Sequence, residues 1–297
     1  MSCARSSASA DEGHAAVAAA ALRQVGLGPV RAMRAVGGGV IAASYRVEAG
    51  GHSAFLKIGA AAHPFDAEAL ALREIESTRT LRVPAVLARG IAEGKGFLLL
   101  EWIELAGDGD WDAAGRQLAA MHRCRGGSYG WSRDNTIGAS PQFNAPCADW
   151  AEFYRERRLR PQFALARANG LAPLAALDAA ACDAADRLLT GHQPSPAVLH
   201  GDLWRGNIAF DRSGAPVVFD PATYHGDRET DLAMTRLFGG FPDRFHRAYD
   251  AVLPPAAGAE ERLPLYQLYH VLNHANLFGG AYVAQAATMI ERLGRRR

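Results

Sequence analysis

The period of the hydrophobic pattern changes near residue 105. Before it, VIAASYRVE (40–48) and SAFLKI (53–58) alternate apolar and polar positions across Gly50-Gly51, which predicts a β-hairpin. Residues 65–78 carry apolar side chains at helical spacing. PAVLARG (84–90) and GFLLLEWI (96–103) read as two more strands. After residue 105 the spacing is mostly helical, over 112–123, 147–169, 174–190, 227–238, 242–251 and 264–293. The exception is 197–220, where AVLH, NIAF and PVVFD form short strands around two polar turns. The expected class is α+β: a β-rich lobe over 16–103 and a mostly helical lobe over 104–297, after a leader at 1–15 without structure of its own.

Composition narrows this little. The chain has 297 residues, 49% hydrophobic, with net charge +1, enough to bury a sizeable core and too apolar for general disorder. The balanced charge argues against a dedicated nucleic-acid binder. No apolar run reaches transmembrane length. Asp11, Glu12 and His14 ahead of the N-terminal alanines do not suit a secretory signal. Cys3, Cys124, Cys147 and Cys182 have no paired spacing, so neither a disulfide framework nor a zinc site is expected, and a reducing cytoplasm fits. Only Lys57 and Lys95 are lysines among 32 basic residues, which draws attention to both.

The chemistry concentrates in three segments. Leu199-His200-Gly201-Asp202-Leu203-Trp204-Arg205-Gly206-Asn207 gives Asp202 and Asn207 the D-x-x-x-x-N spacing of a kinase catalytic loop. One carboxylate there can take a hydroxyl proton while an amide oxygen five residues later holds a metal. Asp220 ends the apolar strand of Val217-Val218-Phe219-Asp220-Pro221, in the place of a second metal ligand. Magnesium commonly takes only one or two protein oxygens, which Asn207 and Asp220 supply. In the first lobe Gly37-Gly38-Gly39 opens a strand and can bring backbone amides close to phosphates. Lys57 follows on the next strand, and Glu68, eleven residues on, could hold it by an ion pair. Each piece alone has a plain structural explanation: a turn, a solvated strand lysine, a helix-surface acid. The ordered set does not.

These segments resemble the fructosamine-3-kinase (ketosamine-3-kinase) family, a branch of the protein-kinase-like fold related to aminoglycoside and choline kinases. The resemblance rests on HGDLWRGN at 200–207, including Trp204, and on the run from Phe219 to Phe241. It extends through Tyr129-Gly130-Trp131 to Ile137-Gly138, Pro141-Gln142-Phe143-Asn144, Trp150, Phe153 to Leu159, Leu265 to His270, Leu272-Asn273-His274 and Leu277-Phe278-Gly279.

The resemblance implies ATP-dependent phosphorylation of the 3-hydroxyl of a ketosamine, a deglycation activity, with ATP and Mg2+ as cofactors. Asp202 would be the catalytic base, and Asn207 and Asp220 the magnesium ligands. Gly37, Gly38, Gly39, Lys57 and Glu68 would serve the triphosphate, and Glu101, Trp102 and Ile103 the adenine hinge. Trp204 is expected to pack on the sugar, with a core anchor as the alternative. Tyr224, Asp227 and Glu229 are candidate substrate contacts, although Asp227 and Glu229 could equally cap the following helix. Asp231 is the candidate brace of the catalytic loop, and His200 is expected to brace rather than react. Arg155, Arg157, Arg158 and Arg160 form a basic cluster, read mostly as salt bridges on a solvated face. Val40 stands where some relatives carry cysteine, so no redox-controlled dimer is expected, and a cytoplasmic monomer is the default. The remaining alternatives are another small-molecule kinase of the aminoglycoside or choline type and a pseudokinase.

Overall fold

The computed structural model describes residues 3–37, 42–63 and 65–295, with side chains from Gly13 onward. Gly38, Gly39 and Val40 therefore lie outside the described residues, and Gly37 is the one member of the glycine run within them. The chain divides into two units, one of residues 1–77 and 83–105, the other of 78–82 and 106–297.

The first unit holds helix α1 (Cys3–Gln24), strands β1 (Ala32–Ala35), β2 (Ala43–Ala49) and β3 (His52–Ala60), helix α2 (Phe65–Ser77), and strands β4 (Val86–Ala92) and β5 (Lys95–Glu101). The strands form one antiparallel sheet in the order β1-β2-β3-β5-β4. Its hairpin turns at Gly50 and Gly51, both at positive φ, a region open to glycine without steric cost. Along β3, Ala54, Leu56 and Ile58 are buried while Lys57 lies on the other face. With Val47, Phe97 and Leu99 they form a core closed by Val17, Ala18, Ala21 and Leu22 of α1. Helix covers 3–15, where the sequence suggested an unstructured leader. Strand β1 has no clear sequence signature, because its four residues give too little alternation to register.

The second unit begins around β6 (Leu105–Ala106), at the boundary, and continues with α3 (Trp111–Met121), the hairpin β7 (Asn135–Ile137) and β8 (Ser140–Gln142), and α4 (Trp150–Tyr154). A π-helical turn over Arg155–Leu159 leads into α5 (Arg160–Ala168), then α6 (Ala172–Ala175) and α7 (Asp178–Leu189). Strands β9 (Ala197–Val198), β10 (Ile208–Asp211), β11 (Pro216–Val218) and β12 (His225–Gly226) surround the polar loops, and α8 (Glu229–Met234), α9 (Asp243–Val252), α10 (Ala259–Phe278) and α11 (Ala281–Arg295) finish it. Asp110 and Asp149 cap α3 and α4, each accepting a backbone N–H at 2.8 Å. Gly115 lets α3 touch α9: a Cβ there would lie 2.3 Å from the Phe245 carbonyl oxygen. Residues 264–293 form two helices rather than the single one expected, because Gly279 and Gly280 both adopt positive φ and end α10. The five residues 78–82 join this unit through Arg82, whose carbonyl accepts from Val218 N at 3.0 Å and whose guanidinium pairs with Asp211 at 2.6 Å. The fold is α+β, sheet first and helices second.

Candidate active site

The loop between β9 and β10 is shaped by one glycine and one acid. Gly201 has φ +82°, and a Cβ on it would sit 2.1 Å from the Ala222 carbonyl oxygen. No other residue fits that position. Asp231 on α8 accepts from His200 N at 2.7 Å and from Gly201 N at 2.8 Å. The same carboxylate takes His122 Nε2 of the α3 C-terminus at 3.2 Å, and His122 Nδ1 meets the Tyr249 hydroxyl at 2.7 Å. These donors hold the Asp231 carboxyl below the usual range despite its burial. The bracing role expected of Asp231 is what the geometry displays. His122 went unremarked in the sequence, since a lone histidine near a helix end carries no spacing signal.

His200 also braces. Its Nε2 donates to the Phe219 carbonyl at 3.1 Å and its Nδ1 accepts from Asp202 N at 3.3 Å. Burial lowers its pKa and disfavours the charged ring.

Asp202 and Asn207 are brought together by this turn. Asn207 Nδ2 donates to the Asp202 backbone carbonyl at 2.8 Å and to Asp202 Oδ2 at 3.2 Å. Phe219 N donates to the Asn207 carbonyl at 3.1 Å, which ties the loop to the strand that delivers Asp220. Asp220 adopts φ +55° at the end of that strand and stays exposed. Such a conformation is strained for a non-glycine residue and recurs at functional sites. Burial and the negative charge of Asp220 push the Asp202 pKa up to about 7. A carboxyl poised there can exchange a proton near neutral pH.

Trp204 is 37% exposed, and its ring lies over Gly206, where a Cβ would come within 2.3 Å of it. It is therefore not the core anchor considered as an alternative. In the first unit, Lys57 Nζ donates to Glu68 Oε1 at 2.6 Å, the pairing proposed from the sequence. Glu101, at the end of β5, accepts from Ala85 N at 3.2 Å, and Trp102 Nε1 donates to Glu104 at 2.9 Å. Trp102 and Ile103 are half-buried beside it.

Three expected substrate contacts lie in the core instead. Tyr224 is 2% exposed, under the Arg158 guanidinium at 3.9 Å from its ring centroid. Asp227 is 1% exposed and accepts from Tyr266 and His192, each at 2.7 Å, and from Glu229 N at 3.0 Å. Glu229 is 6% exposed and takes both prongs of the Arg262 fork at 2.7 Å. Burial corrects all three assignments: their polar atoms are committed to partners inside the protein. Asp227 does accept from the first backbone N–H of α8, although Arg228 stands at the cap position. Arg155 and Arg160 form the expected surface pairs with Glu156 and Asp186, but Arg158 is fully buried.

A braced loop carrying an acid and an amide, followed by a strand ending in a second acid, defines a phosphotransferase of the small-molecule kinase fold. An aminoglycoside phosphotransferase shares that fold at TM-score 0.62 and 15% identity, over 92% of this chain and 96% of its own. The chain belongs to the fructosamine kinase family, whose profile matches residues 15–296. A Synechocystis protein assigned as a ketoamine kinase is 46% identical over 243 residues, 80% of this chain and 81% of that protein. A chloroplastic protein-ribulosamine 3-kinase of Arabidopsis thaliana is 40% identical over 252 residues, 80% of this chain and 75% of the relative. A solved structure from Thermobifida fusca, provisionally assigned as a fructosamine-3-kinase, superposes at TM-score 0.81 with 37% identity, covering 93% of this chain and 98% of its own. Membership makes the chain a ketosamine kinase with ATP as phosphoryl donor.

Proposed function

We propose that the protein phosphorylates the 3-hydroxyl of ketosamines on amines or proteins, ribulosamine and erythrulosamine adducts ahead of fructosamines, as a deglycation activity in a reducing cytoplasm. The observation that carries the chemistry is Asp202, with its pKa raised to about 7 and its carboxylate fixed by the Asn207 amide at 3.2 Å. The preference for ribulosamines is supported by the Arabidopsis relative named for that substrate. Free thiols at Cys124, Cys147 and Cys182 are consistent with a reducing compartment. Among the described residues no helix is long and apolar enough to cross a membrane. A monomer is the working state.

Phosphoryl transfer asks mainly for alignment and charge neutralisation. Asp202 accepts the proton of the attacking sugar hydroxyl. Trp204 offers an exposed flat face for the sugar's C–H bonds. Lys57, held by Glu68, contacts the α/β-phosphates, Gly37 lies in the loop that covers the triphosphate, and the backbone around Glu101 to Ile103 takes the adenine. Asn207 and Asp220 suit magnesium: the Asn207 amide nitrogen is already engaged with Asp202, which leaves its carbonyl oxygen as the hard donor, and Asp220 adds an exposed carboxylate. Asn207 and Asp220 would hold the ion, which would supply positive charge to neutralise the phosphates.

The test is a panel of ribulosamine, erythrulosamine and fructosamine adducts of lysine incubated with Mg·ATP, with the product located by phosphorus and proton NMR. Phosphate on C3, fastest with the ribulosamine, is the expected result. Phosphate on an aminoglycoside or choline, with none on any ketosamine, would replace this reading by that of a related small-molecule kinase.

A further inference from the structure

Arg158 sits in the π-helical turn between α4 and α5 with no exposed surface. Such turns are rare and concentrate at functional sites. Among the described residues it forms no ion pair, and its buried Nε has no partner. Burying a guanidinium without a carboxylate is costly, so its contacts are informative. Nη1 donates to the carbonyls of Phe143 and Arg157 at 2.7 and 2.9 Å, and Nη2 donates to Asn144 Oδ1 at 2.8 Å. Its charged carbon lies 3.9 Å from the Tyr224 ring centroid and 4.7 Å from that of Phe153.

From Asn144 a closed network of buried amides runs on. Asn144 Nδ2 and Gln142 Nε2 both donate to Asn135 Oδ1 at 2.8 Å. Asn135 Nδ2 donates to the Thr223 carbonyl at 2.8 Å, Gln142 Nε2 to the Ala222 carbonyl at 2.9 Å, and Tyr269 to Gln142 Oε1 at 2.8 Å. The segment gripped in this way, Ala222 to Tyr224, is separated from Asp220 by Pro221 alone. On its other side it is bonded to the catalytic loop: Ala222 N donates to the His200 carbonyl at 2.9 Å, and Leu199 N to the Tyr224 carbonyl at 3.1 Å.

We infer that Arg158 is a positioning residue for phosphoryl transfer: its unpaired guanidinium, acting through Tyr224 and the Asn144–Asn135–Gln142 amides, fixes the segment after Asp220 against the loop that carries Asp202. It thereby sets the spacing of the two acids without touching either. The inference rests on the reading above that Asp202 is the base and Asp220 a magnesium ligand.

The test compares Arg158→Met, Gln142→Met and the double variant with the wild type. Thermal melts first establish folding. Loss of alignment at this range lowers kcat about 100-fold, while the ketosamine KM moves less than about twofold. Because both residues act through one segment, the double variant is no worse than about twofold below the poorer single variant. Independently of turnover, the gain in ADP affinity on adding Mg2+, read by calorimetry, shrinks about fivefold in each variant. Wild-type kcat in either folded variant, losses that multiply in the double variant, a defect confined to KM, or an unchanged effect of Mg2+ on ADP binding each overturns the inference. If Arg158→Met does not fold, Gln142→Met decides by the same kcat and calorimetric criteria. Failure of both to fold also overturns it, since the network is then a folding element only. A wild-type enzyme inert toward every ketosamine counts against the proposed function instead, and the calorimetry still reads the inference.

Discussion

Asp202 is the residue on which the proposed chemistry turns, and its environment makes two measurable demands. As a base it must be deprotonated, so kcat/KM falls as pH drops below about 7, where the raised pKa lies. Asp202→Asn folds and loses roughly 10²–10⁴ in turnover, measured at saturating ATP and ketosamine. The same group governs stability in the opposite sense to a salt-bridged acid. Its folded pKa lies above the unfolded value, so the native state holds the extra proton between the two, and that stabilisation is lost as pH rises through about 7. Asp202→Asn is therefore more stable than wild type without metal. The gain is about 2 kcal/mol larger at pH 8 than at pH 5, and urea unfolding at the two pH values measures it. A gain larger at pH 5 would show that the acid is not raised in the native state. Gly201 is as demanding sterically: Gly201→Ala drives a methyl into the Ala222 carbonyl and disrupts the loop, with turnover lost even where the fold survives.

At the scale of elements, the catalytic loop is held by helices that approach it from distant parts of the chain. Asp231 of α8 takes two loop amides and His122 from the α3 C-terminus. Asp231→Ala strands those donors in a dry interior and costs about 3–5 kcal/mol, read as a lower midpoint in urea. Near wild-type stability would show that water or a shifted residue replaces the carboxylate. The Glu229–Arg262 pair fastens α8 to α10 in the same manner. Glu229→Ala, which leaves Arg262 buried and unpaired, destabilises by about 3–5 kcal/mol, whereas Glu229→Ala with Arg262→Met recovers much of the loss. Equal destabilisation in both variants would exclude that explanation.

This scale also separates what the sequence discloses from what it hides. Asp202, Asn207 and Asp220 are legible because their geometry is local: fixed spacing along a turn and a strand end. Lys57 and Glu68 are legible from strand and helix periods. Tyr224, Asp227 and Glu229 read as substrate contacts only because motif position says nothing of burial, and the partners of the two acids, His192, Tyr266 and Arg262, stand 33 to 39 positions away in the hydrogen-bonded pairs. Arg158 is hidden for the same reason. Its neighbours come from the segments after β8 and β11 and from α10, and no periodicity of its own helix announces an interior guanidinium. The break between α10 and α11 was legible in Gly279-Gly280, yet the apolar pattern on both sides outweighed it.

For the whole molecule, an α+β arrangement and family membership assign the reaction class. The sheet unit holds Lys57 with its partner Glu68, and the helical unit, taken by itself, holds the loop with Asp202, Asn207 and the strand-end Asp220. Lys57→Met removes the cation proposed to bind the phosphates. It raises the KM for ATP and lowers kcat, with the fold retained in circular dichroism. The most direct test of the whole account is a single incubation of ribulosamine-modified lysine with the enzyme, Mg2+ and ATP labelled at the γ-phosphate. Label on the sugar's C3 oxygen with the wild type, and none with Asp202→Asn, is the predicted outcome. Label transferred equally by both proteins, or appearing only as free phosphate, contradicts it.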